Sequence, residues 1–554
     1  MSRSQDGIES ANNGEADRPS VGRASGQIAI ATVVSRLTAL LARLLLAAAL
    51  GFALVNDAYN VANTLPNQVY ELLLGGVLSA AAIPVLIRAQ RTDSDEGEVY
   101  AQRLLTIGFV ALVVGTALAV AAAPLLISLM TSDGPGTSQP LATAFAYLLL
   151  PQILFYGLAA LFGAILNSRE RFAAPAWAPV ANNIVLIAVI TTFLTMDGEV
   201  SLRPDLMGEP KLLVLGIGTT LGIVVQAAVL IPALRRSGFR WRWRWGWDPR
   251  LTAFASLAGW SVLYSLLGQV GLIVTYRIAG LGDPGGVSTY TYSWILLQVP
   301  YGVLGVSLLT ALMPRISRSA ADGRAGAVAD DLAVGTRFSG LMLIPVSAML
   351  TVLGGPLAIL LFSYGSSNVE QADRLGQTLA ASAFTLVPYA ITLLQLRVFY
   401  ALQDARAPVV IMLAMLAIKT VASIGAVAVL SPTDLVTGLA VANGLSFVAG
   451  ALIGQIWLRM RVGHLHTRRV LSVLGRIAIA SILAGVAALG TSSLVGHVLP
   501  VTAALAVALT QLMAATVVGA LLLVAGLYAF RVPEASILGL RAAIIARRIV
   551  GRSD

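Results

Sequence analysis

The chain has 554 residues, of which 57% are hydrophobic and only 12% are charged, and it contains no cysteine. So little charge cannot cover a water-facing surface of this size, which excludes a soluble fold. Without cysteine there is no disulfide, thiolate metal site or cysteine nucleophile. The formal net charge of +10 does not indicate nucleic-acid binding, because the basic residues lie between apolar segments rather than on one polar module.

The polar N-terminus, residues 1–26, has no apolar period and predicts a disordered cytoplasmic tail. Apolar runs of 18 to 25 residues then recur, each long enough to cross a hydrocarbon core as a helix. We therefore expect an all-α integral membrane protein with about 14 transmembrane helices. The predicted spans are 27–52, 58–87, 106–130, 141–166, 174–194, 212–234, 251–279, 287–314, 338–363, 375–402, 407–430, 435–458, 471–495 and 502–530.

The basic residues are distributed unequally between the two sides of these spans. Of the 37, 28 fall on the side of the N-terminus, three on the opposite side and six within spans. Because cytoplasmic loops carry the excess of basic residues in membrane proteins, both termini are predicted to be cytoplasmic.

Two segments outside the spans are basic. Residues 235–250, RRSGFRWRWRWGWDPR, alternate arginine with tryptophan. Such alternation could stack on single-stranded nucleic acid, but both residue types favour the headgroup level, so we interpret this linker as a cytoplasmic belt contacting membrane lipids. The tail 531–554 is basic and contains an amphipathic segment, which predicts an interfacial helix on an anionic leaflet.

An internal repeat divides the chain. Residues 65–88 and 295–318 share eight identities in 24 positions at a constant offset of 230. Six spans separate the two copies, so both run in the same direction, as in transporters with alternating access between two lobes. The predicted parts are an N-lobe over 27–234, a C-lobe over 251–458 and two additional spans within 471–530.

Sequence signatures of catalysis are missing. Neither lysine, Lys211 or Lys419, follows the glycine that a P-loop requires. The glycine-rich GIGTTLG at 216–222 misses dinucleotide spacing, and close helix packing explains it better. The histidines lie in loops without zinc-site spacing: His464, His466 and His497. We expect no catalytic residue, no metal and no cofactor.

Charge within the bilayer is more informative, because each buried charge costs at least a few kcal/mol. Arg36 and Arg43 in the first span are seven residues apart and therefore about 20° apart on a helix. The next span has a polar stripe within an arc of about 80°. Its members are Asn56, Asn60, Asn63, Asn67 and Glu71, with Asp57 beside them.

Two interpretations of these faces remain open. Arg36 and Arg43 could pair with Asp57 or Glu71 and only fasten two helices together. Alternatively, they line a hydrated cavity that receives an anionic headgroup, and Asp57 gates it through a switching charge pair. Arg277 and Lys419 are further candidates. Arg397 and Arg476 are also candidates, but their side chains could simply snorkel to the cytoplasmic surface. Asn182 and Asn183 could line the cavity or form a hydrogen bond to a neighbouring helix.

Several stretches resemble the MurJ (MviN) family of lipid II flippases, in the multidrug/oligosaccharidyl-lipid/polysaccharide exporter superfamily, particularly its actinobacterial branch. They are VVSR (33–36), NDAYNVANTLPN (56–67), GAILNSRERFAAPAWAPVANNI (163–184), VPYGVLGVSLLTALMPRISR (299–318) and LFSYG (361–365). Arg36 and Asp57 match the family's cavity arginine and the aspartate at the start of its second helix. The family's other arginines would fall at Ala42, Tyr70 and near Trp294, so Arg43 and Arg277 are candidate replacements.

The resemblance implies a flippase of the cell membrane that moves a polyprenyl-diphosphate-linked peptidoglycan precursor, lipid II, by alternating access. Membrane potential or an ion gradient would drive it, and the last two helices would guide the polyprenyl tail. Proteins of cell-wall synthesis and division are implied partners. The candidate substrate-binding residues are Arg36, Arg43, Asp57, Asn60, Asn63, Asn67, Glu71 and Arg277.

Two other functions are compatible with many spans. One is export of another polysaccharide lipid or a small molecule by the same superfamily. The other is a polyprenyl-dependent glycosyltransferase, an enzyme class that usually needs a sizeable outside loop with paired carboxylates. The longest predicted outside loop, 195–211, is short and has only scattered carboxylates, which disfavours an enzyme.

The absence of cysteine makes the predicted orientation testable. Single cysteines at positions 136 and 282 should react with a membrane-impermeant maleimide in intact cells, while one at 321 should react only after permeabilisation. The opposite labelling pattern would invert the topology.

Overall fold

The structure, a computed structural model, describes residues 18–72, 83–197, 210–246, 248–498 and 504–534. All regular elements in these ranges are helical, which confirms the predicted all-α class. They are α1 (Arg18–Leu50), α2 (Leu54–Leu72), α3 (Ile83–Thr92), α4 (Glu98–Ala121), α5 (Ala123–Met130), α6 (Gln139–Leu149), α7 (Gln152–Ser168), α8 (Ala173–Thr195), α9 (Pro210–Ala228), α10 (Leu230–Arg236), α11 (Pro249–Ala279), α12 (Gly286–Pro300), α13 (Val306–Ala321), α14 (Ala325–Phe362), α15 (Val369–Ser382), α16 (Leu386–Ala401), α17 (Arg406–Val429), α18 (Leu435–Val462), α19 (Thr467–Val498) and α20 (Ala504–Ala529).

The number of spans agrees only in part with the prediction. Within the described ranges, 11 helical segments are long and apolar enough to cross a membrane, or up to 12 if α6 and α7 form one bent span. The count of fourteen is not confirmed. Predicted span 58–87 includes residues 73–82, which lie outside the described ranges. Predicted span 287–314 is divided into α12 of 15 residues and α13 of 16, each too short by itself.

Several predicted spans that were expected to be continuous are broken. Pro151 separates α6 from α7 with a bend of 40°. A π-helical segment, Tyr301–Gly305, follows Pro300. A 3-10 turn, Ala383–Thr385, separates α15 from α16. Proline lacks a backbone donor, which gives the first two interruptions a local cause that hydropathy does not reveal. The 3-10 turn changes the hydrogen-bonding pattern, but residues 369–401 still count as one candidate span.

The two ends of the chain also differ from the predicted boundaries. Helix α1 begins at Arg18, so residues 18–26 are helical rather than disordered. Pro19 fits there because the first helical turn has no intrahelical acceptor for its backbone donors. Residues 1–17 and 535–554, which include the predicted interfacial segment, lie outside the described ranges.

Packing divides the chain into two compact units. Unit 1 comprises residues 1–49, 62–127 and 140–262, and unit 2 comprises 50–61, 128–139 and 263–554. The first eight residues of α2, Leu54 to Val61, thus belong to unit 2, and its remainder belongs to unit 1. The division into lobes at the 235–250 linker, inferred from the repeat, stays a prediction.

The core of unit 1 depends on close approach between helices. Apolar side chains of α4, α7 and α10 form a buried cluster that includes Leu105, Ile165 and Leu234. Glycines of α9 lie directly against α6 and α8, and a Cβ atom on any of the three would collide with a neighbour. The facing pairs are Gly216 with Leu148, Gly218 with Val189 and Gly222 with Asn182. This confirms that the glycines of 216–222 serve helix packing, the usual role of small residues between membrane helices.

In unit 2, the two additional helices α19 and α20 pack on α14. Leu341 of α14 is buried against Val473 and Ile477 of α19, while Leu353 contacts Ala488 and Ala515 farther along. Next to the first cluster, Arg337 Nη1 lies 3.2 Å from Glu534 Oε1, and the glutamate side chain is only 5% exposed. The segment that follows α20 is therefore attached to α14 by a largely buried ion pair.

Removing one member of this pair should destabilise the protein. Glu534→Ala leaves the Arg337 charge without its partner, at a cost of roughly 3 kcal/mol. We expect a clear fall in the thermal unfolding midpoint in detergent. Asp322→Ala is the matched control, because Asp322 and its partner Arg324 are both exposed and such surface pairs contribute little. Equal midpoints for the two variants would contradict a structural role for the buried pair.

The structure also refines the labelling positions for the orientation test. A Cβ atom at Gly136 would lie 2.7 Å from Gly282 O, and one at Gly282 would lie 2.9 Å from Pro432 O. Cysteine at either position would therefore disturb the packing of this loop cluster. Asp133 and Ser431 are exposed nearby and are better sites for the outward cysteines, with Ala321 kept as the inward one.

Candidate substrate-binding site

The two arginines of α1 lie on one face, as their spacing predicts. The exposed apolar residues of α1 form a different face, roughly 120° away at 100° per residue. That apolar face consists of Ile30, Val33, Leu37 and Leu41. Arg36 is exposed and Arg43 is partly buried, and neither has a hydrogen-bond or ion-pair partner among the described residues. Within unit 1, α1 therefore presents two cations on a side separate from its apolar exposed surface.

The first part of the polar stripe on α2 is hydrogen-bonded within unit 2. Asn60 Nδ2 donates to the backbone oxygen of Asn56 at 2.9 Å and to its Oδ1 at 2.8 Å. Asn56 Nδ2 donates to Gly51 O at 2.6 Å, and Tyr292 donates its hydroxyl to Asn56 Oδ1 at 3.3 Å. Both asparagines are almost fully buried, so these contacts stabilise the entry of the chain into α2.

The second part of the stripe belongs to unit 1. Asn67 Nδ2 donates to Asn63 O at 2.8 Å, and Asn67 Oδ1 accepts the hydroxyl of Tyr156 at 2.7 Å. Asn63 Oδ1 is buried without a hydrogen-bond partner among the described residues. Glu71 lies in the last turn of α2, but its side chain is outside the described part of the structure. Asn63 is thus the described member of the stripe with an unused acceptor.

Asp57, in the first turn of α2, is fully buried against the N-terminal end of α12. Its Oδ2 accepts the backbone N–H of Gly285 at 2.7 Å, and its Oδ1 accepts the N–H of Ser288 at 2.7 Å together with the Ser288 hydroxyl. A carboxylate at a helix N-terminus satisfies backbone donors and interacts favourably with the helix dipole. Asp57 therefore serves as a tertiary cap of α12.

The backbone around this cap requires glycine. Gly285 precedes α12 with φ of 88°, in the left-handed region, and a Cβ atom there would collide with Phe52 O. Gly51, with φ of 65°, would place a Cβ atom 2.8 Å from Ser366 O. A glycine at each position lets the turn before α2 approach two other segments of unit 2 closely.

Aromatic rings complete this attachment, and sequence reasoning did not identify them. Phe52 packs edge-on against Tyr292 at 5.6 Å and against Phe362 at 5.9 Å between ring centroids. Gln371 Nε2 donates to Phe52 O at 3.2 Å. Phe362 belongs to the LFSYG stretch, so motifs far apart in the sequence meet here. In the sequence, both NDAYN and LFSYG resemble the same family, but nothing in either stretch indicates that they meet.

Arg277 serves a second helix terminus in unit 2. Its Nη1 donates to Ser128 O at 2.9 Å, near the C-terminal end of α5. Arginine is favourable there because it binds terminal carbonyl groups and complements the negative end of the helix dipole. The structure thus gives Arg277 a hydrogen-bonding role, while its proposed contact with substrate stays a prediction.

The structure also places the remaining polar candidates. Asn183 Nδ2 donates to Ser35 O at 2.9 Å and Thr38 Oγ1 at 3.0 Å, which decides in favour of a bond to the neighbouring helix α1. Lys419 Nζ lies 6.0 Å from the centroid of the Tyr290 ring in unit 2. No cluster of three metal-ligating side chains occurs in the described ranges.

Aromatic residues occupy two positions where the family's arginines were expected. Tyr70 packs on Tyr156 with ring centroids 4.4 Å apart in unit 1. In unit 2, Trp294 stacks on Phe447 at 5.9 Å and meets Tyr389 edge-on at 5.5 Å. At both positions the side chain is therefore aromatic, where the family resemblance predicted a cationic one.

These features define a class: a helical multi-pass membrane protein with two compact units and an arginine-bearing first helix. Solved transporters share the fold. A lipid II flippase MurJ in an inward closed conformation superposes with a TM-score of 0.67 at 19% identity, covering 89% of this chain and 98% of that chain. An inward-facing multidrug transporter of the MATE family and MOP superfamily gives 0.62 at 15% identity, covering 80% and 99%.

Sequence comparison gives the family directly. Residues 46–519 match the model of the lipid II flippase MurJ family, so the chain belongs to that family. A probable lipid II flippase MurJ of Rhizobium meliloti (strain 1021) is 26% identical over 456 residues, covering 81% of this chain and 82% of the relative. The lipid II flippase MurJ of Burkholderia cenocepacia is 26% identical over 439 residues, covering 78% and 82%.

The Asp57 cap predicts a graded loss of stability. Asp57→Asn replaces an acceptor oxygen by a donor amide facing backbone donors, and we expect a loss of about 2 kcal/mol. Ser288→Ala removes one hydroxyl and leaves both backbone contacts, so its loss should be about 1 kcal/mol. The thermal unfolding midpoint in detergent should be highest for the wild type, lower for Ser288→Ala and lowest for Asp57→Asn. Asp133→Asn, at an exposed carboxylate with no hydrogen-bond or ion-pair partner among the described residues, is the control. A wild-type midpoint for Asp57→Asn would refute the capping role.

Proposed function

We propose that this protein moves lipid II, the polyprenyl-diphosphate-linked peptidoglycan precursor, from the cytoplasmic to the outer leaflet of the plasma membrane. The observation that carries the proposal is the match of residues 46–519 to the family of lipid II flippases. The relatives from Rhizobium meliloti and Burkholderia cenocepacia, described as probable and as lipid II flippases, support the same substrate class.

The cationic face of α1 supports a role in binding the diphosphate. Arg36 and Arg43 present guanidinium groups that no described carboxylate neutralises. Arginine pairs with phosphate oxygens through two parallel hydrogen bonds, and such bonds are strong where water is scarce. We propose that Arg36 and Arg43 attract the diphosphate, while Asn63 and Asn67 offer polar contacts to the sugar; Glu71 stays a predicted binding residue.

Asp57 and Arg277 would act on the conformation of the transporter rather than on the substrate. Asp57 holds Leu50 to Val61 in unit 2 by capping α12, and Asn60 reinforces the same segment. Alternating access requires packed segments with two discrete arrangements. We propose that the Asp57 cap and the Arg277 contact with α5 form in one arrangement and open in the other.

Transport of the lipid involves no chemical step. Flipping changes the leaflet of the lipid and breaks no bond, so it needs neither a catalytic residue nor a cofactor, only membrane potential or an ion gradient as a source of energy. Both termini would be cytoplasmic, and proteins of cell-wall synthesis and division would use the delivered precursor.

Depletion of the protein in its native host tests the function. Lipid II exposed on the outer surface should fall, and lipid II inside the cell should accumulate. If lipid II exposure stays normal and a different lipid-linked saccharide accumulates, the protein exports that lipid instead. Unchanged levels of both would refute the transport function.

Variants of α1 test the binding site in the same depletion background. The Arg36→Ala variant should remain inserted in the membrane. It should reduce the amount of lipid II on the outer surface by roughly tenfold or more, because one charge-assisted contact is lost. Arg36→Lys should restore transport only in part, because lysine lacks the planar fork. Leu37→Ala, on the exposed apolar face, is the matched control and should transport normally. Normal transport by Arg36→Ala would exclude this arginine from the site.

A further inference from the structure

A cavity of about 790 Å³ lies within unit 1, apart from the arginines of α1. Its walls come from α4, α7, α9 and α10 and from the segment that follows α10. This volume is within the usual range of small-molecule sites. Nothing in the proposed transport cycle uses it.

The lining of this cavity is almost entirely apolar. Phe155 and Phe162 of α7 face Val224 of α9 and Ile231 of α10, and the remaining wall residues are aliphatic or aromatic except for two arginines. A site without other polar side chains offers nothing to a hydrated ligand, whereas hydrocarbon gains by leaving water. The chemistry of the walls therefore fits an acyl chain.

The two arginines give the cavity a charged end. Arg235 and Arg240 line it, both are exposed, and neither has a carboxylate partner among the described residues. Arg236, Arg242 and Arg244 are exposed close by in the sequence and add positive charge. An apolar cavity ending in unpaired guanidinium groups is complementary to a lipid with an anionic headgroup.

Tryptophans place the charged end at the surface of the membrane. Trp241, Trp243 and Trp245 are 40%, 60% and 68% exposed, as expected for rings at the headgroup level. Of these tryptophans, Trp241 lines the cavity, and the wall that it forms with Arg240 is fixed to the helices. Gln102 Nε2 donates to Arg240 O at 3.0 Å, and Trp241 packs edge-on against Phe109 at 5.3 Å between centroids.

The depth of the cavity matches one leaflet. Its wall along α9 and α10 runs from Val224 to Leu234, which is about 15 Å at 1.5 Å per residue. The hydrocarbon core is about 30 Å thick, so this wall is about as long as one leaflet of the core is thick. A phospholipid chain that ends at the midplane fits this depth, whereas a polyprenyl chain is much longer.

We propose that this cavity is a binding site for an anionic phospholipid of the leaflet on this side, which the arginine distribution predicts to be cytoplasmic. Arg235 and Arg240 hold the phosphate group, and one acyl chain occupies the apolar space. The bound lipid acts as a structural ligand of unit 1 and is distinct from the transported substrate.

Quenching of tryptophan fluorescence tests the site, because Trp241 lines it. The probes are phosphatidylglycerol and phosphatidylcholine with brominated acyl chains, added to the full chain in nanodiscs of unlabelled phosphatidylcholine. Wild-type protein should reach half-maximal quenching at a mole fraction of brominated phosphatidylglycerol at least fivefold lower than that of brominated phosphatidylcholine. Trp241→Phe should lose the selective component of the quenching, which assigns it to this cavity.

Two variants separate the headgroup from the chain. The double variant Arg235→Gln with Arg240→Gln should abolish the preference for phosphatidylglycerol. Ala228→Phe fills the apolar space with an exposed wall residue and should reduce quenching by both lipids. The matched control, Arg318→Gln with Arg324→Gln, removes two exposed arginines elsewhere and should keep the wild-type preference. Gel filtration verifies that each variant is folded.

Three outcomes would overturn the proposal. Equal quenching by the two lipids in the wild type would remove the anionic selectivity. An unchanged preference in the Arg235/Arg240 double variant would show that these arginines do not bind the headgroup. Displacement of brominated phosphatidylglycerol by equimolar purified lipid II would assign the cavity to the transported lipid instead.

Discussion

A charged or hydrogen-bonding group in a bilayer has no water to bind, so it either finds a partner within the protein or lies at a wet surface. The polar residues of this chain follow both courses. Asp57 takes the first course, because backbone donors of α12 satisfy its two oxygens. Arg36 and Arg43 have no described partner and lie away from the apolar exposed face of α1, as the second course requires.

The same constraint explains why α2 belongs to both units. Its first residues bring Asn56 and Asp57 to donors and acceptors of unit 2, while Asn67 bonds Tyr156 of unit 1. Each half of the helix thus satisfies its polar groups in a different unit. A substitution in the stripe will disturb packing as well as any contact with substrate, so loss of transport alone cannot identify a binding residue there. Stability must be measured beside transport for every variant of α2.

Helix breaks are the second feature with functional consequences. The π segment after Pro300 and the 3-10 turn before α16 both lie in unit 2, and π or 3-10 segments inside helices frequently mark hinges or functional sites. Tyr301 of the π segment meets Tyr389, in the first turn of α16, at 4.7 Å between ring centroids, so the π segment contacts the helix that follows the 3-10 turn. Together with the aromatic cluster around Trp294, they replace the cationic surface expected on the eighth predicted span.

The sequence by itself determined the helical class, the close packing at 216–222 and the shared face of Arg36 and Arg43. Hydropathy and the 3.6-residue period are local properties, and so they can be read before folding. Only the tertiary structure decided the partners of the polar residues. Asp57 caps a helix that begins more than 200 residues later, Asn183 bonds α1, and Arg277 binds the end of α5. A hydrogen bond depends on the position of both atoms, and helical periodicity fixes the direction of one side chain without showing what the fold brings to meet it.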